Sequence, residues 1–109
     1  MKVLAICRPA PGTNASEMAT HLRDEAKTLE QWRDAGNLLQ AYSPGGLGAV
    51  LILELPSLQE AQSHVSQLPL CVAGLIETEL IGLYPFDTDR EAKADRAVRP
   101  HRTASLRRP

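Results

Sequence analysis

The sequence predicts an α+β domain in the order strand, helix, strand, strand, helix, strand. Three observations carry this prediction. Four short apolar runs end at proline or at a glycine-bearing turn. Two longer stretches repeat apolar residues at three- and four-residue steps. Each of those stretches is preceded by a polar residue with glutamate three positions on, the spacing of a capping box.

Residues 2–8 form the first expected strand, apolar and ended by Pro9-Ala10-Pro11-Gly12. Proline cannot donate to a ladder and glycine permits the turn. Asn14 or Ser16 can cap the first helix, and Asn14 with Glu17 has the capping-box spacing. Residues 17–35 contain no proline or glycine and read as one continuous helix, with Met18, Leu22, Ala26 and Leu29 as its core-facing stripe. Gly36-Asn37 stops it. Residues 38–43 form a short strand, Pro44-Gly45-Gly46 a turn, and residues 47–55 an almost wholly apolar strand of the kind covered on both faces. Ser57 and Glu60 open the second helix, whose stripe is Leu58, Ala61, Val65 and Leu68, with Pro69 closing it. Residues 75–84 form the last strand, ended by Pro85.

The middle strands pair as a hairpin, and each helix crosses one face of the sheet. This is the split βαβ, ferredoxin-like arrangement, with a four-stranded antiparallel sheet and both helices on one side. Its other face then needs a cover, and a second subunit is the natural one.

The chain is 109 residues long, with 43% hydrophobic, 23% charged and 4% aromatic residues, the composition of one small globular domain. A core of this size gains from a partner subunit. No apolar run reaches the length of a membrane span, and the first residues are interrupted too soon for a signal peptide, so a cytoplasmic protein is expected. Cys7 and Cys71 lie among apolar residues and read as buried structural thiols rather than a disulfide. Residues 1–86 carry five basic and nine acidic groups, and residues 87–109 carry seven basic and four acidic ones. A domain at 1–86 therefore precedes a basic tail, in which 91–98 can form a short helix. The tail has no interleaved aromatics and no nucleic-acid motif, which argues against nucleic acid and for a solvated arm or one laid on an acidic neighbouring subunit.

No phosphate loop, dinucleotide fingerprint or nucleophile elbow is present, and Gly45-Gly46-Leu47-Gly48 reads as a hairpin turn. His21, His64 and His101 have no metal-ligand spacing, so chemistry without metal or nucleotide cofactor is expected. The first helix carries the strongest chemical signal. At about 100° per residue, Glu25 falls on the shoulder of the apolar stripe, with His21 and Trp32 beside it. Partial desolvation raises a carboxyl pKa and a nearby imidazolium lowers it, so Glu25 is either a proton shuttle or a helix-edge glutamate paired with His21. Arg33, in the last turn, can bond terminal carbonyls or meet an anionic ligand. Gln40 and Tyr42 share one face of the second strand and can present polar groups to a pocket. His64 borders the second helix's stripe, and Glu77 and Glu79, with Glu54 on another strand, can do acid–base work as paired carboxylates but better suit a wet strand edge or an intersubunit ion pair.

The segment from Leu22 to Pro85, about three-fifths of the chain, resembles the muconolactone Δ-isomerase family. The resemblance rests on Glu25 followed eleven residues later by Gly36, a hairpin with an apolar return strand, a helix ending in Leu68-Pro69-Leu70, and a strand with Glu77 through Leu83 before a closing proline. It implies the ferredoxin-like fold, paired into a dimeric α/β barrel or a larger ring. It also implies cofactor-free double-bond migration or cyclisation on a small lactone or biosynthetic intermediate, with Glu25 as the acid/base. On this reading Tyr42 and His64 polarise or orient a substrate oxygen, and His21, Trp32, Gln40 and Arg33 bind the substrate. The family's basic residue after the helix glutamate is Ala26 here, its Trp-Arg pair is Leu39-Gln40, and its closing His-Pro is Tyr84-Pro85. A more apolar or larger substrate is therefore expected. Related barrels also include cofactor-free monooxygenases of polyketide-type substrates, and a non-catalytic ligand-binding accessory protein fits the same fold.

Overall fold

A computed structural model describes residues 1–86, and the expected short helix at 91–98 and the basic tail lie outside them. The chain runs β1 (Lys2–Pro9), α1 (Ala15–Ala19), α2 (Leu22–Asp34), β2 (Leu38–Tyr42), β3 (Ala49–Glu54), α3 (Leu58–Val65), α4 (Pro69–Val72) and β4 (Ile76–Leu83). The strands form one sheet in the order β2-β3-β1-β4, every neighbouring pair antiparallel. This is the ferredoxin-like α+β arrangement the sequence predicts.

Strand periodicity decides what is buried. Val3, Ala5 and Cys7 of β1 alternate to the helix-covered face, joined there by Leu51 and Leu53 of β3 and Leu38 of β2. The helices add Met18, Trp32, Ala61, Val65, Leu68 and Leu70 to close the core. The opposite face carries half-buried Leu4, Ile6, Val50 and Ile52 with exposed Ile81, so a single chain covers its central strands on one face rather than two. Around that apolar centre lie Lys2, Arg8, Glu77 and Glu79, and Arg8 pairs with Glu79 across β1 and β4 at 3.0 Å. Glu79 thus finds its cation within the chain.

Two helix boundaries depart from the sequence expectation. The stretch 17–35 is not one helix: α1 ends at Ala19 and α2 begins at Leu22. The Thr20 hydroxyl donates to the Glu17 carbonyl at 3.1 Å, and the His21 amide to the Met18 carbonyl at 2.9 Å. A threonine that takes up a nearby carbonyl in this way competes with the helical ladder. The break resets the angular register. Met18 stays buried on α1, whereas Leu22 is half exposed and Ala26 faces water. The inward face of α2 is instead Glu25, Thr28, Leu29 and Trp32.

The second departure is at Pro69. It opens a further one-turn helix, α4, instead of closing the one before, because α3 already stops at Val65 and proline suits the first helical position. Both expected N-caps form: Asn14 Oδ1 accepts from the Glu17 amide at 2.9 Å, with the reciprocal Glu17 bond at 3.1 Å, and Ser57 Oγ accepts from the Glu60 amide at 3.1 Å. No helix among the described residues is long and apolar enough to cross a membrane.

Candidate active site

The turn of α2 puts Glu25 where four elements meet. A cavity of about 290 Å³ opens between α1, α2, the β2–β3 hairpin and α4. Met18, Leu22 and Leu29 wall it from the helices, and Cys7, Ala49 and Ile76 line it from the sheet. The hairpin residues Gly46 to Gly48 form its lip, and among the described residues Glu25 is the one charged side chain lining it. Glu25 Oε1 accepts a hydrogen bond of 3.0 Å from the Leu70 amide. That amide belongs to the first turn of α4, where N–H groups have no partner within the helix, and Pro69 before it has no N–H to compete.

Burial among these apolar groups raises the Glu25 carboxyl above its ordinary pKa. The Leu70 amide and the charge of His21 pull it down without cancelling the rise. A larger recess of about 650 Å³ lies at the other end of β1, lined by Met1, Lys2, Glu54 and Tyr84 among others. Its carboxylate, Glu54, is already held by the Met1 amino group at 2.6 Å. Among the described residues, no group of three His, Cys, Asp or Glu side chains is arranged to hold a metal ion.

No protein-family model and no curated protein matches the chain. Solved structures do. A muconolactone isomerase superposes with a TM-score of 0.65 at 17% identity, covering 79% of this chain and 91% of its own. The fold is that of muconolactone isomerase. A 5-chloro-2-hydroxyhydroquinone dehydrochlorinase from Burkholderia phenoliruptrix AC1100, solved with 2,5-dihydroxybenzoquinone, also matches with a TM-score of 0.65, at 21% identity over 79% of this chain and 96% of its own. The muconolactone isomerase fold thus carries an isomerase in one protein and a dehydrochlorinase in another.

On this muconolactone isomerase fold the residues singled out in the sequence separate into four places. Glu25 lines the cavity, and His21, one turn earlier, is half-buried and electrostatically coupled to it. Trp32 and His64 meet each other instead, ring centroids 5.4 Å apart and edge-on at 62°, with His64 Nδ1 3.2 Å from the Glu60 carbonyl. Neither lines the cavity, because Trp32 sits two turns along α2 from Glu25 and packs into the core. Gln40 and Tyr42 lie opposite Ile52 and Val50, on the sheet face turned away from the helices. Within the described residues, Glu25 lines the cavity while Tyr42 and His64, expected to polarise or orient a substrate oxygen, lie away from it. Arg33 is exposed at the end of α2.

The sequence reading missed the Leu70 amide, the hairpin lip and the thiols as neighbours of Glu25. Pro69 at a first helical position was the available signal for the first of these. Both cysteines are free; Cys7 is buried, and Cys71 is half-buried rather than fully enclosed. Burial pushes Cys7 up to about 12, helped by Cys71 and Glu25, and pushes Cys71 up to about 11, helped by Glu25. Since the thiolate is the nucleophile, iodoacetamide at pH 8 should label the folded protein at least about tenfold more slowly than the urea-unfolded chain. Equal rates would show that these thiols are not desolvated.

Proposed function

We propose that this chain is a cofactor-independent enzyme that moves a proton on a small cyclic molecule, as an isomerase or cyclase, with Glu25 taking the proton and returning it. One observation carries this reading: among the described residues, a carboxyl with a raised pKa is the one charged group lining an apolar cavity, and a backbone amide fixes its position. Such a group sits between its protonated and ionised forms nearer to neutral pH than a free glutamate does, which suits general acid–base work. The reactions named for the two structural neighbours, an isomerisation and a removal of hydrogen chloride, both ask a protein to move a proton.

Deuterium uptake tests the reading. In D₂O, wild type should exchange a carbon-bound proton of at least one member of a panel of unsaturated lactones and cyclic ketones, followed by NMR. Glu25→Gln should not. Exchange that is unchanged in Glu25→Gln overturns Glu25 as the acid/base. Binding with no exchange by wild type turns the cavity into that of a binding protein.

The open sheet face extends the proposal to assembly. Its apolar centre of Leu4, Ile6, Val50 and Ile52, rimmed by charge, fits a second copy of the same face closing a dimeric barrel. Sedimentation equilibrium should give twice the chain mass for wild type and the single mass for Ile52→Lys. A wild-type monomer at micromolar concentration overturns the dimer.

A further inference from the structure

We infer that the Glu25 cavity selects uncharged single-ring substrates and rejects carboxylate-bearing ones. This rests on the proposal that the cavity is the site of turnover. Among the described residues, every side chain that reaches the cavity apart from Glu25 is apolar, a thiol, or absent at glycine, and none is a lysine or arginine. The basic side chains of α2, Arg23, Lys27 and Arg33, are all exposed, and Arg8 is committed to Glu79 on the opposite face of the sheet. The thiols cannot supply charge either, since both stay protonated at neutral pH.

A carboxylate entering this space would lose hydration, meet no lysine or arginine among the described lining residues, and lie close to the Glu25 carboxylate. Burying an unpaired charge is costly, and a like charge nearby adds to the cost. Among the described residues, His21 is the cation coupled to Glu25, and that coupling serves Glu25 itself. A neutral ring loses little on entry. It offers apolar edges to Met18, Leu22, Leu29 and Ile76, while its acidic C–H faces the carboxylate. The volume, about 290 Å³, is at the small end of ligand pockets, which run from roughly 300 to 1,000 Å³, and so suits one ring rather than a fused system.

A matched pair of ligands isolates the charge. 5-Methylfuran-2(5H)-one and its 5-carboxymethyl counterpart share a ring and differ by one carboxylate. Their dissociation constants would be measured by NMR titration at pH 8, on wild type and on Glu25→Gln. The neutral lactone should bind wild type at least about tenfold more tightly, and the ratio should shrink in Glu25→Gln, where the like charge is gone. Equal or tighter binding of the carboxymethyl lactone to wild type overturns the inference, as does failure of both ligands to bind at millimolar concentration. The same samples, followed in D₂O, separate this from the acid/base reading. Neutral-ligand preference with exchange that survives Glu25→Gln keeps the substrate class and removes the proton role. Carboxylate preference with exchange lost in Glu25→Gln does the reverse.

Discussion

Glu25→Gln is expected to lower proton exchange by about 10²–10⁴-fold, the contribution of one positioned acid/base, and at the same time to make the protein more stable at neutral pH. The two effects have one cause. The Gln side-chain oxygen can still accept from the Leu70 amide, so the 3.0 Å bond that ties α2 to α4 is retained. What disappears is a carboxylate held among Met18, Leu29 and Leu70, whose ionised form is disfavoured by burial.

The pH dependence follows from the direction of the shift. The folded state holds the Glu25 proton more tightly than the unfolded chain does. As pH rises through the ordinary carboxyl range, the unfolded chain releases this proton first, and stability falls. The fall ends once the folded carboxyl has ionised too. Wild type and variant should therefore have similar stability in acid below the ordinary carboxyl range, and the variant should pull ahead as pH rises to neutrality. The other carboxylates are common to both proteins and cancel in the difference. Urea unfolding at several pH values, read by the single tryptophan, buried Trp32, measures the gap directly. A constant gap across pH would mean that Glu25 is not desolvated, and the acid/base reading would lose its physical basis.

The strands were legible in the sequence because proline and glycine punctuate short apolar runs, a signal that needs no tertiary information. Glu25 was legible as a carboxyl near an apolar stripe, but its neighbours were not. A single helical register from Glu17 to Ala35 does not form. The Thr20–His21 break rotates α2, so that Glu25 moves from the shoulder to the inward face and Ala26 turns to water. Hydroxyl competition for a single carbonyl decides that break, and composition does not report it. Tyr42 and Gln40 were placed correctly on a common strand face, but which face looks at the helices depends on the pairing of Tyr42 with Val50 and Gln40 with Ile52. The irregularity between Leu38 and Gln40 shifts that register. A bulge of this kind moves side chains between faces, and no periodicity in five residues shows it.

Gly48→Ala should be the most damaging single-methyl change among the cavity residues, by about 3 kcal/mol. Two penalties coincide there. Gly48 has φ +107°, a conformation that L residues with a Cβ rarely adopt, and a Cβ at this position would run into the carbonyl oxygen of Cys7. The contact is with backbone, so relief requires moving either the hairpin or the end of β1. Those two segments are bonded to each other through the Cys7–Ala49 register, and Cys7, Gly48 and Ala49 all line the cavity. Displacing the hairpin therefore both weakens the β1–β3 edge and opens the lip over Glu25. The midpoint of thermal unfolding should fall by on the order of 15 °C, and neutral-ring binding should weaken with it. Gly46→Ala is the matched control. Gly46 lines the same lip, but a Cβ there meets nothing within 4 Å and its φ is not in the left-handed range, so the change should stay within about 0.5 kcal/mol. If both alanines are equally mild, the hairpin is free to move away from β1, and the cavity's lip is not fixed by the fold. If both are equally severe, the lip tolerates no added methyl at all. Only the predicted contrast assigns the damage to the close approach of Gly48 to Cys7.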